Sequence, residues 1–289
     1  IDDYSAGKHQ NVAFLKDYSN FKELKKDICD KDGMDEIFEG ASVIFNNAAS
    51  KKNICVVNPG RDLAVKAGGT LNLLEFAKKH KVAKFVHAST GSVYGEPRIF
   101  PSDEDHPLQP VSYYGVSKLA GERYVDVFRH LYGTNMTILR YFHVYGPRQE
   151  SNEFGGVVSI FLRNLLEKKP LTVFGHGDQV RSFTYVKDLV NANLMAAVSP
   201  KAEGQVYNAA SGIKVTINDL AKGIVDMVGG EGKVVHGDPL PGDIMYFDVS
   251  NKKIKEHLQL NFEQDFWGTM KKTIQDYFDY FEKHKVIQK

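Results

Sequence analysis

A strand, a helix and a second strand, each ending on chemically useful residues, constrain this chain more than any other feature. Lys84–Ser89 reads as a short apolar strand that runs directly into Thr90-Gly91-Ser92-Val93-Tyr94-Gly95. Met136–Arg140 is a second such strand, followed by Tyr141-Phe142-His143-Val144-Tyr145-Gly146-Pro147-Arg148. Between them a helix is predicted from Tyr113 to Tyr132. Doubly wound sheets bind their ligands beyond the carboxyl ends of parallel strands, which is where the hydroxyl of Thr90 falls. Tyr114 and Lys118 stand at i and i+4 of the helix, so both heads can enter one pocket. A lone tyrosine titrates near pH ~10 and is a poor base unless positive charge stabilises its phenolate. Lys118 is placed to supply that charge. A bare Y-x-x-x-K also occurs as an ordinary surface pair, and the flanking strands are what give this one weight.

Taken together, S-T-G-S-V-Y-G, the Y-x-x-x-K helix and R-Y-F-x-V-Y-G-P-R resemble the extended short-chain dehydrogenase/reductase family of nucleotide-sugar epimerases and dehydratases, from Asp2 to about Phe281. The resemblance implies an α/β fold with a doubly wound, parallel Rossmann-type sheet and a smaller C-terminal substrate-binding α/β domain. Residues 1–150 would form the NAD domain and residues 151–289 mainly the substrate domain, interleaved with it. It also implies NAD as cofactor, a nucleotide sugar as substrate and a homodimer. By the same resemblance Tyr114 is the base, Thr90 shares its hydrogen bond to the sugar hydroxyl, and Lys118 lowers the tyrosine pKa and binds the nicotinamide ribose. Asp2 would hold the adenosine ribose, Asp17 the adenine edge, and Ala48, Ala49, Lys51 and Tyr141 the rest of the cofactor. Read from residues alone, Asp17 serves equally well to start a helix and Lys51 as a solvated lysine. His143, Arg148, Arg181 and Asp243 would face the substrate, Arg181 on its diphosphate through bidentate pairing.

Dehydratases of the family read S-T-D-E-V-Y-G, the acidic pair eliminating water. This chain has Gly91 and Ser92 there. Oxidation at C4, turnover of the keto sugar and return of the hydride need no such pair, so the implied reaction is a 4-epimerisation of the UDP-sugar type. A dehydrogenase releasing NAD(P)H and a non-catalytic relative are the alternatives.

The rest of the chain supports and qualifies this. Ile1–Gly7 reads as the end of a strand, and no G-x-x-G-x-x-G loop, whose glycines would admit a pyrophosphate at a helix N-terminus, occurs in the 289 residues. A strand, loop and helix of about 30 residues is therefore expected to precede Ile1, a degenerate NAD-free relative being the other reading. Asn11–Leu15 is expected as a strand, Phe21–Cys29 as an amphipathic helix and Val43–Phe45 as a buried strand. Asn58-Pro59 caps a helix expected to reach about His80. Within it Val65-Lys66-Ala67-Gly68-Gly69-Thr70 departs from the family's V-N-x-x-G-T, with Lys66 in place of Asn. Pro241-Gly242-Asp243 matches the family's P-G-D, but Leu240 replaces an Arg, and His143 replaces an Asn. The net charge of +1, with acids and bases intermixed, advertises no nucleic-acid face. Two cysteines, Cys29 and Cys55, are no disulfide framework. No apolar run approaches the roughly 18 residues needed to cross a bilayer and no signal peptide is visible, so a cytoplasmic protein without a membrane partner is expected.

Overall fold

The computed structural model describes residues 1–284 apart from 51, 153–154, 231 and 241–242. Its centre is a parallel sheet of four strands, β1 (Val43–Asn46), β2 (Lys84–Thr90), β3 (Met136–Tyr141) and, arriving from late in the chain, Val206–Ala209. Register runs Phe45↔Val86, Val86↔Thr137 and Leu139↔Tyr207. All seven residues of β2 are buried, as befits a strand covered on both faces. Alternation along the strands splits their side chains between two cores. Phe85 and Ile138 pack with Phe38, Leu73, Leu74, Val125 and Phe128 on one side. Val86 and Leu139 pack with Leu189, Ala196, Tyr207, Ile254 and Leu258 on the other. Each such side chain contributes roughly 1.5–3 kcal/mol by leaving water.

The first helices are α1 (Lys52–Val57) and α2 (Pro59–Leu63), the latter capped by the Asn58 side chain accepting from Arg61 N at 2.9 Å, with Pro59 in the first turn. The single helix expected to reach His80 is instead interrupted by a π-helical turn, Ala64–Gly69, before α3 (Thr70–Lys79). Helix α4 (Tyr113–Tyr132) begins where Ser112 Oγ accepts from Gly115 N at 3.2 Å. It is tied to β3 by a buried two-pronged pair, Arg140 Nε and Nη2 donating to the Glu122 carboxylate at 3.0 and 2.8 Å.

A second body of core lies in the C-terminal half. Helices Val157–Leu166 (α5), Ile217–Met227 (α7, after α6, Val186–Val198) and Phe266–His284 meet around Phe161, Leu162, Phe183, Leu220, Ile224 and Met270. Val93, Tyr94, Phe142, Ile244, Phe247 and Val249 form a smaller apolar cluster that joins residues from both halves of the chain. No helix of the described residues is long and apolar enough to cross a membrane.

Two expectations fail before β1. Asn11–Leu15 is not a strand: short 3₁₀ turns, His9–Asn11 and Ala13–Asp17, take its place. Its amides bond back three residues, Val12 N to His9 O at 3.1 Å and Leu15 N to Val12 O at 2.9 Å. Phe21–Cys29 is not a helix either. Leu24–Lys26 is extended and pairs with Asp2, which donates to Leu24 O and accepts from Lys26 N, both at 3.1 Å. A helix would have set Lys22 against Lys25 and Lys26 at i+3 and i+4, where like charges repel.

Candidate active site

Thr90 closes β2 and caps the 3₁₀ turn Gly91–Tyr94, accepting from Ser92 N at 3.2 Å and donating to Ser92 Oγ at 3.3 Å. Gly91 is required here by close approach: a Cβ on it would lie 2.2 Å from Cε1 of Phe142. Tyr114 and Lys118 extend from the first turns of α4 beside it. Burial pushes the Tyr114 phenol up to about 12; its hydrogen bond with Thr90 opposes this, and the neighbouring Cys55 and Asp62 add to it. Lys118 is buried with its Nζ on Ala88 O at 2.7 Å. Burial first, then repulsion from Lys66, brings its pKa down to about 7. The structure thus brings Thr90, Tyr114 and Lys118 together at the carboxyl end of β2.

A cavity of about 780 Å³, which none of these three residues lines, has Asp2, Asp3, Asp27, Ala48, Ala49, Ser50, Arg61 and Arg148 among its walls. Asp2 and the two alanines line this cavity, while Lys51 lies outside the described residues. Asp17 does not line this cavity; it closes an exposed 3₁₀ turn. Asp27 is the carboxylate at that end of the wall. Burial opposes its charge, but the Cys29 amide at 2.9 Å and Arg61 Nη2 at 2.6 Å outweigh this and hold it below its usual range. The misplaced strand hid it: with Leu24–Lys26 as strand, Asp27 becomes a strand-end aspartate. Tyr141 reaches the cavity only through a partner, its Oη accepting from Asn193 at 2.6 Å and donating to Asn47 Oδ1 at 3.2 Å.

The substrate expectations separate into two places. Arg148 belongs to the cavity wall, where it donates to Asn11 O at 3.0 Å and covers the Phe14 ring. Arg181 is elsewhere, buried, donating to Ile244 O at 2.6 Å and Asp243 Oδ1 at 2.7 Å over the Phe247 ring. His143 lies against the same ring, 5.0 Å between centroids, with a left-handed φ of 32°. Asparagine and histidine tolerate that region better than most residues, which rationalises the exchange.

The residues present fit the adenosine half and the nicotinamide ribose of NAD: carboxylates stand at the strand ends as hydroxyl acceptors, small alanines leave room, and the Tyr114–Lys118 pair follows. The pyrophosphate loop has no counterpart in the sequence.

Residues 4–210 match the NAD-dependent epimerase/dehydratase family. The chain is 36% identical over 254 residues to a putative UDP-glucose 4-epimerase of Methanocaldococcus jannaschii, covering 86% of this chain and 81% of that protein. It is 34% identical over 262 residues to the UDP-glucose 4-epimerase of Mycolicibacterium smegmatis, covering 89% and 83%. Among solved structures, UDP-glucose 4-epimerase of Thermotoga maritima with UDP-glucose superposes with a TM-score of 0.91 at 33% identity, covering 97% of this chain and 90% of that one. A Rossmann-type sheet carrying this tyrosine–lysine pair defines a nicotinamide-dependent protein of the short-chain dehydrogenase type. The chain belongs to the NAD-dependent epimerase/dehydratase family, and NAD is its cofactor.

Proposed function

We infer that this chain is an NAD-dependent nucleotide-sugar 4-epimerase acting on UDP-sugars. The observation that carries the choice within the family is at residues 91 and 92. Phe142 fills the space a side chain on Gly91 would need, and Ser92 offers a hydroxyl already engaged by Thr90. Neither can act as the acid or base that elimination of water demands, whereas epimerisation asks only that one hydroxyl be deprotonated and reprotonated.

Bound NAD supplies a reversible hydride acceptor. The protein's part is to hold the sugar C4 hydroxyl between Thr90 and Tyr114, take its proton onto the Tyr114 oxygen, and return it after the ring has turned over. Lys118 adds positive charge beside the phenolate and binds the nicotinamide ribose. Asp2 holds the adenosine ribose, with Asp27 taking the adenine role first assigned to Asp17. Arg181 meets the diphosphate, exchanging its Asp243 partner for a phosphate oxygen, and His143 and Asp243 complete that end within the C-terminal substrate domain. The exposed stripe Tyr113, Val116, Tyr124, Val127 and Leu131 on α4 supports a homodimer, and Cys29 and Cys55, which form no disulfide with each other, support a reducing cytoplasm.

Incubation of the purified protein and NAD with UDP-glucose, UDP-galactose, their N-acetyl forms and the uronic acids, followed by proton NMR of the sugars, tests the reading. Interconversion of one pair without NADH accumulation at 340 nm ~(the reduced nicotinamide band) is expected. Stoichiometric NADH with an oxidised product would transfer the assignment to a dehydrogenase.

A further inference from the structure

Lys66 stands where the family resemblance has asparagine, and the fold holds it firmly. Its carbonyl, in the π-helical turn, accepts from Thr70 Oγ1 at 2.6 Å. Helix α4 crosses so near that a Cβ on Gly121 would lie 2.8 Å from that same oxygen. Single π turns inside helices occur frequently at functional sites. The side chain is fully buried. Its ammonium pairs with Asp62, donates to Ser50 Oγ at 3.1 Å and lies 4.2 Å from the centroid of the Tyr114 ring, with Cys55 Sγ at 3.9 Å. Ser50 also lines the cavity, so Lys66 joins that wall to the tyrosine.

A buried ammonium is tolerated only when paired, and Asp62 pairs it. Burial opposes the charge on Asp62 itself, but hydrogen bonds from Lys66, Ser50 and Ser117 outweigh this and keep the carboxyl below its usual range. The groups facing Lys66 are Cys55 on α1, Asp62 on α2, and Tyr114, Ser117 and Lys118 on α4; Glu122 on α4 and His87 on β2 bear on Lys118 from behind. Lys118, brought down to about 7 by burial and by Lys66, is only part charged near neutrality, and one of its three Nζ protons is on Ala88 O. Tyr114 is pushed the other way by burial and also by Cys55 and Asp62, and the cation on its ring face is the Lys66 ammonium.

We propose that Lys66 is a positioning residue for Tyr114: its ammonium, anchored on Asp62 and Ser50 against the tyrosine ring, stabilises the phenolate that takes the substrate proton. The proposal rests on the epimerase reading only for the role of the phenolate, because ionisation of Tyr114 is measurable without substrate or turnover.

The experiment labels the 14 tyrosines with ¹³C at Cζ and follows each through a pH titration, Tyr114→Phe identifying the Tyr114 signal. The wild type is compared with Lys66→Gln, which removes the charge and keeps a donor for Asp62. The Tyr114 midpoint should rise by about one pH unit or more from the first to the second, the scale of a neighbouring unit charge. With NAD and substrate, kcat/KM near neutral pH should fall about tenfold between the same two proteins, one unit of ionisation being a tenfold change. Equal midpoints in two folded proteins would overturn the proposal and leave Lys66 as the ion-pair partner of Asp62 alone. Should Lys66→Gln fail to fold by circular dichroism, the double variant Asp62→Asn/Lys66→Met, which removes the buried pair whole, takes its place against the wild type: a raised midpoint supports the proposal, an unchanged one sinks it. Loss of epimerisation with an unchanged order of midpoints would bear on the reaction, not on Lys66.

Discussion

Strand β2 and the residues before β1 border the same site but are held in opposite ways. β2 is paired on both sides, its residues all buried, with Phe85 sent to one core and Val86 to the other. The residues up to Asp27 are held by turn hydrogen bonds, the isolated Asp2↔Lys25 bridge and partly exposed ion pairs such as Asp3–Arg61, and leave Phe14 and Tyr18 exposed, the chain entering the core only from Ile28, Met34 and Phe38 on. The proton chemistry thus sits on the over-determined part, through Thr90 at the end of β2 and Tyr114 on α4. The carboxylates of the cofactor wall, Asp2, Asp3 and Asp27, sit on the part with fewer constraints. Geometry within tenths of an ångström matters for proton transfer, and less for a hydroxyl-accepting carboxylate.

The widest contrast should be in stability. Phe85→Ala removes a fully buried ring and should cost about 3–5 kcal/mol, whereas Phe14→Ala at an exposed site should stay within about 0.5 kcal/mol. Chemical denaturation of both variants checks this, and comparable losses would erase the distinction between the two regions.

The same distinction explains what could be read from the amino-acid sequence. Lys84–Thr90, Met136–Tyr141 and the helix Tyr113–Tyr132 were legible because both faces of each strand and one face of the helix are fixed by packing, so apolar pattern and structure coincide. Leu24–Lys26 was not legible, because one bridge to Asp2 decides its conformation and no periodicity announces it. Asn11–Leu15 carries a strand-like pattern, yet without a neighbouring strand its amides turn back on the local chain. Asp17, expected at the end of that strand, closes an exposed 3₁₀ turn instead, while Asp27 lines the cavity. Lys66 was visible as a departure from the family pattern, but its contact with the Tyr114 ring depends on the π turn and on the close crossing at Gly121, neither of which sequence spacing encodes.

Next in size is the effect on chemistry. Tyr114→Phe keeps the ring's packing and removes the phenol, so kcat should fall on the order of a hundredfold or more with the melting temperature nearly unchanged. Near-normal turnover would detach the reaction from the β2–α4 end altogether. The far end of the substrate site should respond differently. Arg181→Ala should raise KM by roughly tenfold through loss of a charge-assisted contact, with kcat changing little, the pattern expected when uniform binding is lost. A fall in kcat with KM unchanged would mean that Arg181 matters to the reacting centre.

The smallest effect is a slope. Lys118 is buried with its pKa near 7, against about 10.4 for an unfolded lysine. Between those values the unfolded chain binds a proton that the folded chain does not, so stability rises with pH across that window. Below about pH 7 both states hold the proton and the burial penalty is present in full; above the unfolded value neither does. Lys84, brought down to about 8 by burial, contributes a slope of the same sign over a narrower window. Lys118→Met removes the first contribution and leaves the second. The melting temperature of the variant should therefore rise less steeply between pH 7 and 10 ~(the window set by the two lysine values) than that of the wild type. Parallel curves would show that Lys118 keeps its proton in the folded protein throughout. Its charge would then serve Tyr114 at every working pH, alongside the Lys66 ammonium on the ring face.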